Sequence, residues 1–114
     1  FLEADTVLPM MYMPDAIRGT IELAEANFNK LVNHCNFNFS GISFSCKNLA
    51  DEIKKHIPDF QISYVADFRQ EIANSWPKSI DDSQARKQWG WSHQYNLEKM
   101  TIDMINNLQK KDFK

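Results

Sequence analysis

Glycine is scarce. Gly19, Gly41 and Gly90 are the three in 114 residues, and they lie far apart. A dinucleotide-binding turn needs several glycines between one strand and the next helix, so that the backbone can approach a pyrophosphate. This chain offers none. Cysteine is scarce too: Cys35 and Cys46 have no C-x-x-C spacing. They read as two reduced, packed thiols of an intracellular protein, with a single disulfide as the lesser alternative. The histidines His34, His56 and His93 are scattered, and no metal site is expected. No apolar run is long enough to cross a bilayer, and no signal-peptide pattern opens the chain. Fifteen acidic against thirteen basic residues give a formal charge of −2, without the basic excess of a nucleic-acid binder. There is no repeat and no low-complexity segment.

What is present is 43% apolar residues in a length that suits one small domain or part of a larger one. The opening Phe1-Leu2-Glu3-Ala4-Asp5-Thr6 reads as the interior of a longer protein. Leu8 to Met13 is an apolar run that fits a buried strand. Pro14 suits the first turn of a helix, with Asp15 on the positive end of its dipole. Ile17, Thr20, Ile21, Ala24 and Phe28 then make an apolar face. Gly19 inside that helix costs about 1 kcal/mol relative to Ala and suggests a close approach by a neighbour. Phe37 and Phe39 alternate with Asn36 and Asn38 as a strand. Ser45 is a good N-cap for a helix with Leu49, Ala50, Ile53 and Ile57 on its buried stripe and Asp51, Glu52, Lys54 and Lys55 toward water. Ile62 and Tyr64 suggest another short strand. Asn96 caps a last helix carrying Leu97, Met100, Met104 and Leu108, with Lys110, Lys111 and Lys114 at a frayed end.

The stretch Asp67 to Trp91 organises the rest. It holds all three tryptophans. Ile80 reads as a strand end. Asp81, Asp82 and Ser83 offer acceptors to the free N–H groups of a helix that runs to about Gln88. Gly90 supplies the left-handed residue that stops it, and Trp89 and Trp91 fold back as apolar lids. Trp76 precedes Pro77 and is biased to extended geometry.

The run Asp81-Asp82-Ser83-x-Ala85-Arg86-x-x-Trp89-Gly90-Trp91 resembles the late substrate-domain element of extended short-chain dehydrogenase/reductases. Arg69-Gln70-x-Ile72-Ala73-x-Ser75-Trp76-Pro77-x-Ser79-Ile80-Asp81-Asp82-Ser83 is similar to one branch of them, the NAD-dependent L-threonine 3-dehydrogenases. So are Leu8 to Arg18, Asn38 to Ser45 and Leu97 to Thr101. The resemblance covers nearly the whole chain, in order. It implies an α/β fold: the C-terminal substrate-binding domain of a Rossmann-type enzyme, a small sheet with flanking helices, spanning residues 1–114. It further implies a cytoplasmic, homodimeric enzyme acting on L-threonine, with NAD bound by a nucleotide-binding domain upstream of Phe1. The family's catalytic Tyr-x-x-x-Lys pair is absent. Tyr95 and Lys99 have that spacing, but they fall in the terminal helix region, and the match reads as coincidence. A nucleotide-sugar epimerase or dehydratase domain, or a non-catalytic module on the same fold, is the alternative.

The chain can therefore contribute only a wall of a substrate pocket. Trp76 is the first candidate: an aromatic wall over a small substrate, against the plainer reading of a core anchor. Arg69 is the second. It could hold a carboxylate bidentately, although an ion pair with Asp67 or Glu71 is the better expectation. Met10, Met11 and Met13 read as core strand before pocket edge, and Asp81-Asp82 as helix capping before a metal site.

Overall fold

The computed structural model describes residues 1–110. Strand β1 (Val7–Met10) pairs antiparallel with β2 (Ile42–Ser45), placing Val7 opposite Ser45 and Met10 opposite Ile42. Pro9 donates nothing to the ladder, which a two-stranded sheet tolerates because each strand keeps a free edge. The helices among the described residues are α1 (Met13–Glu25), α2 (Cys46–His56), α3 (Phe68–Ser75), α4 (Ser83–Trp89) and α5 (Leu97–Lys110), with one 3-10 turn at Phe28–Lys30. Lys111 and Lys114, expected at a frayed end, lie outside the described residues.

Pro14 stands in the first turn of α1, as the sequence suggests. The face that α1 buries is a different one. Ile17 and Ile21 are more than half exposed, whereas Asp15 and Gly19, four residues apart, are buried. The cause lies in what packs there. A Cβ on Gly19 would stand 2.6 Å from Trp91 and 2.7 Å from Phe39. The bare backbone thus admits two aromatic rings, the close approach that the mid-helix glycine foretells. Trp91 is 2% exposed, its Nε1–H donates to the Ser40 carbonyl at 2.8 Å, and its ring meets Phe39, Trp89 and the Arg18 guanidinium. Trp91 is the largest of the fully buried side chains and the centre of this aromatic cluster.

Phe37 and Phe39 form no strand. Their rings turn onto Trp89 and Trp91, and that aromatic packing replaces a ladder. Ile62–Tyr64 and Ile80 are likewise irregular: Ile62 and Ile80 stay exposed, so there is no buried face to fix a register. Gly90 adopts φ 79° and ends α4 in the left-handed conformation. Cys35 is exposed rather than packed, and both cysteines are free.

α2 packs on β2 and α5. Ser45 begins it with a capping box. Its hydroxyl accepts the Asn48 N–H at 3.1 Å while Asn48 Oδ1 accepts the Ser45 N–H at 3.0 Å. We expect Ser45→Ala to lower stability by about 1 kcal/mol; an unchanged urea midpoint would refute it. Glu52, expected in water, is buried and pairs with Lys55 at 2.7 Å. Asn96 caps α5 by accepting the Lys99 N–H, and Met100 and Thr101 are buried, but Met104 and Leu108 are not. The radius of gyration is 17.0 Å, against about 13 Å for a compact chain of this size. The elements spread out, and their outer apolar faces stay open.

Candidate functional site

Trp76 stands at the meeting of two clefts. The segment that places it, α3, went unread in the sequence because its eight residues show no clear apolar stripe. Local chemistry nevertheless makes it. Asp67 caps it by accepting the Arg69 N–H at 2.9 Å, and Glu71 lies in its first turn. Pro77 stops it by forcing the preceding residue extended: Trp76 has φ −85°, ψ 149°. The indole is 55% exposed, so within these residues it anchors no core.

The first cleft, about 170 Å³, is apolar. Phe1, Leu2, Leu8 and Ile72 line it, together with Ala73, Trp76 and Arg69. The second, about 220 Å³, is polar: Asp5, Thr6, Gln70, Asn74 and Lys78 face its Trp76 wall. Ala73 and Trp76 belong to both. Trp76 thus adjoins one apolar cleft and one polar cleft.

Arg69 makes the ion pair expected of it, with Asp67 and not with Glu71. Its Nη2 lies 2.6 Å from Asp67 Oδ2 and its Nε 3.0 Å from Oδ1. The Arg69 side chain and its backbone N–H together pull the Asp67 carboxyl down to about 2. The guanidinium also lies 3.6 Å from the centre of the Phe1 ring, a cation–π contact between two residues that line the apolar cleft.

Gln70 was missed by sequence reasoning. It is the buried residue of α3, 8% exposed. Its Oε1 accepts the Glu3 N–H at 2.8 Å and the Thr6 hydroxyl at 3.1 Å, and its Nε2 donates to Thr6 Oγ1 at 2.9 Å and Asn74 Oδ1 at 2.8 Å. The one local signal was the four-residue spacing of Gln70 and Asn74; Thr6 is 64 residues away in sequence.

The remaining candidates lie elsewhere. Met10 does lie in β1, but it is exposed; Met13 opens α1 and is exposed; Met11 is half-buried, and none of the three lines a Trp76 cleft, so the core placement of Met10 and Met13 is corrected. The acidic pair divides its work. Asp81 accepts the Ser83 N–H at 2.9 Å, whereas Asp82 makes no side-chain cap and instead binds Arg86 at 2.8 Å and Ser40 at 3.1 Å. Tyr95 stacks edge-on against Tyr12, whose hydroxyl donates to Asp103 at 2.7 Å. That bond, then burial, raises the Tyr12 pKa.

No family model matches the chain. Individual proteins do. The mitochondrial L-threonine 3-dehydrogenase of Bos taurus is 45% identical over 106 residues, 92% of this chain and 28% of that protein. An uncharacterized epimerase/dehydratase of Staphylococcus haemolyticus is 42% identical over 113 residues, 98% of this chain and 36% of its own length. Among solved structures, the GalE-like L-threonine dehydrogenase of Cupriavidus necator in its apo form superposes with a TM-score of 0.91 at 54% identity, covering 95% of this chain and 39% of that one. The chain thus spans about a third of the length of the relatives it matches. Alike in sequence and in the course of the backbone, the chain is similar over nearly its whole length to the C-terminal part of L-threonine 3-dehydrogenases.

Proposed function

We propose that the complete protein oxidises L-threonine at its β-carbon to 2-amino-3-ketobutyrate, and that residues 1–114 are its C-terminal substrate-binding domain. The agreement with threonine dehydrogenases over nearly the whole chain carries this reading. The resemblance implies that a nucleotide-binding domain of the complete protein, carrying the Tyr-x-x-x-Lys pair, would hold NAD, which would supply the hydride acceptor. The residues of this chain shape the substrate's surroundings. Trp76 is the wall: its indole fills space beside the threonine methyl group and excludes water. Arg69 is the second substrate-side residue. Bound to Asp67 and laid over Phe1, it lines the apolar cleft.

The complete enzyme is proposed to be a homodimer. Two free thiols suit a reducing compartment, and we place the protein in the cytoplasm. Among the described residues no helix is long and apolar enough to cross a membrane.

A second reading, a nucleotide-sugar epimerase or dehydratase, is favoured by the names of the staphylococcal relatives. Assaying the complete protein with threonine plus NAD, and separately with nucleotide sugars, decides between them. NADH formation from threonine is expected, and turnover of a nucleotide sugar alone would overturn the assignment. The isolated chain has no Gly-rich turn. Calorimetric titration with NAD is therefore expected to show no saturable heat, and saturation at micromolar NAD would refute the domain assignment.

A further inference from the structure

We infer that Gln70 is a positioning residue that sets the Trp76 wall and, through it, substrate size selection; this rests on the reading of Trp76 as a wall. α3 makes little contact with the other elements, and Gln70 is its one buried residue. Its further attachments lie at the exposed end: Asp67 N–H to the Phe1 carbonyl at 3.4 Å, and Arg69 over the Phe1 ring. The hydrogen bonds that tie the helix to the Glu3–Thr6 segment are therefore those of a single amide.

That amide is used in full. Its oxygen accepts from the Glu3 N–H and the Thr6 hydroxyl, and its nitrogen donates to Thr6 Oγ1 and Asn74 Oδ1. Glutamate keeps the acceptors but loses both donors, setting a charge against two oxygens. Methionine keeps the length and loses every bond. Asn74 lies one turn beyond Gln70, and the Trp76 N–H donates to Ala73 O at 3.2 Å. A tilt of α3 thus moves the indole, which adjoins both clefts.

The test uses the complete protein and the ratio of kcat/KM for threonine to that for a bulkier β-hydroxy amino acid. A loss of folded protein leaves this ratio unchanged. Gln70→Glu and Gln70→Met are each expected to lower the ratio about tenfold or more, because small misplacements in a pre-organised site are costly. Asn74→Ala, which cuts one bond, should shift it in the same direction and by less, and serves if the Gln70 variants do not fold. On a Trp76→Ala background Gln70→Met should change the ratio no further. If Trp76→Ala shifts the ratio and the Gln70 and Asn74 variants do not, the positioning role is overturned while the wall stands. If Trp76→Ala leaves the ratio alone, the wall reading fails. Fluorine NMR of fluorotryptophan-labelled protein then judges Gln70 separately: Gln70→Met is expected to move the Trp76 resonance and spare that of Trp91. An unmoved Trp76 resonance overturns the inference.

Discussion

Trp76→Ala in the complete protein is expected, on the proposed reading as a threonine dehydrogenase, to lower kcat/KM for threonine by roughly ten- to a thousandfold. Threonine is small and offers few contacts, so its near-attack pose depends on the surfaces around it. Removing the indole merges the apolar and polar clefts, which now meet at Trp76 and Ala73. Water enters, and the field of the catalytic groups is diluted. Longer β-hydroxy amino acids should gain relative activity, because the space is no longer filled. NAD affinity should hardly change, since this part carries no cofactor turn. Melting should move little, because the indole is 55% exposed and its removal leaves no sealed cavity. Kinetics and melting on one preparation check this. Wild-type kcat/KM per folded molecule would show that the wall is not one, and a large drop in melting temperature with equal loss of all activities would assign Trp76 to packing.

Asp15→Asn is expected to cost the chain about 3 kcal/mol, the scale of breaking a buried charge pair by removing one charge. Asp15 is 1% exposed. Its carboxylate accepts the N–H groups of Gln94 at 3.0 Å and Tyr95 at 2.9 Å and pairs with Arg18 at 2.8 Å. It thereby ties the start of α1 to the segment that leads into α5. Asparagine retains one acceptor, turns an amide toward donors, and leaves Arg18 with Glu22 as its remaining carboxylate partner. For 114 residues such a loss lowers the melting temperature by about 12 °C.

The effect carries a pH signature. Burial works against the charge of Asp15, but the Arg18 side chain and the N–H groups of Tyr95 and Gln94 outweigh it and hold the pKa below the ordinary 3.8. A carboxyl whose folded pKa is depressed contributes fully above its unfolded value and loses that contribution as pH falls through the folded one. The gap between wild type and Asp15→Asn should be full at neutral pH and shrink below about pH 4. Urea midpoints across that range test it. A gap that persists unchanged at the acid end would mean the stabilisation is not that of the charge.

Local chemistry in the sequence determined much of this protein. Pro14, Ser45, Asn96 and Gly90 mark helix starts and stops, because caps and a left-handed residue act within one turn. The motif around Trp76 pointed to the family, and the absent glycine-rich turn led to the expectation that the cofactor is held outside this part. Gly19 announced a close approach, without saying of what. The tertiary structure alone decided which faces are buried. Ile17 and Ile21 have the spacing of a core stripe, yet the neighbours of α1 are the backbone at Gln94 and Tyr95 and the rings of Trp91 and Phe39, which meet Asp15 and Gly19. Phe37 and Phe39 alternate like a strand, but a ladder needs a partner and the aromatic cluster needs their rings. Gln70 looked like an ordinary polar helix residue until Glu3 and Thr6 came to it. Periodicity encodes that a face will be covered. What covers it depends on residues tens of positions away, and the pairing of Thr6 with Gln70 exists only once the chain has folded.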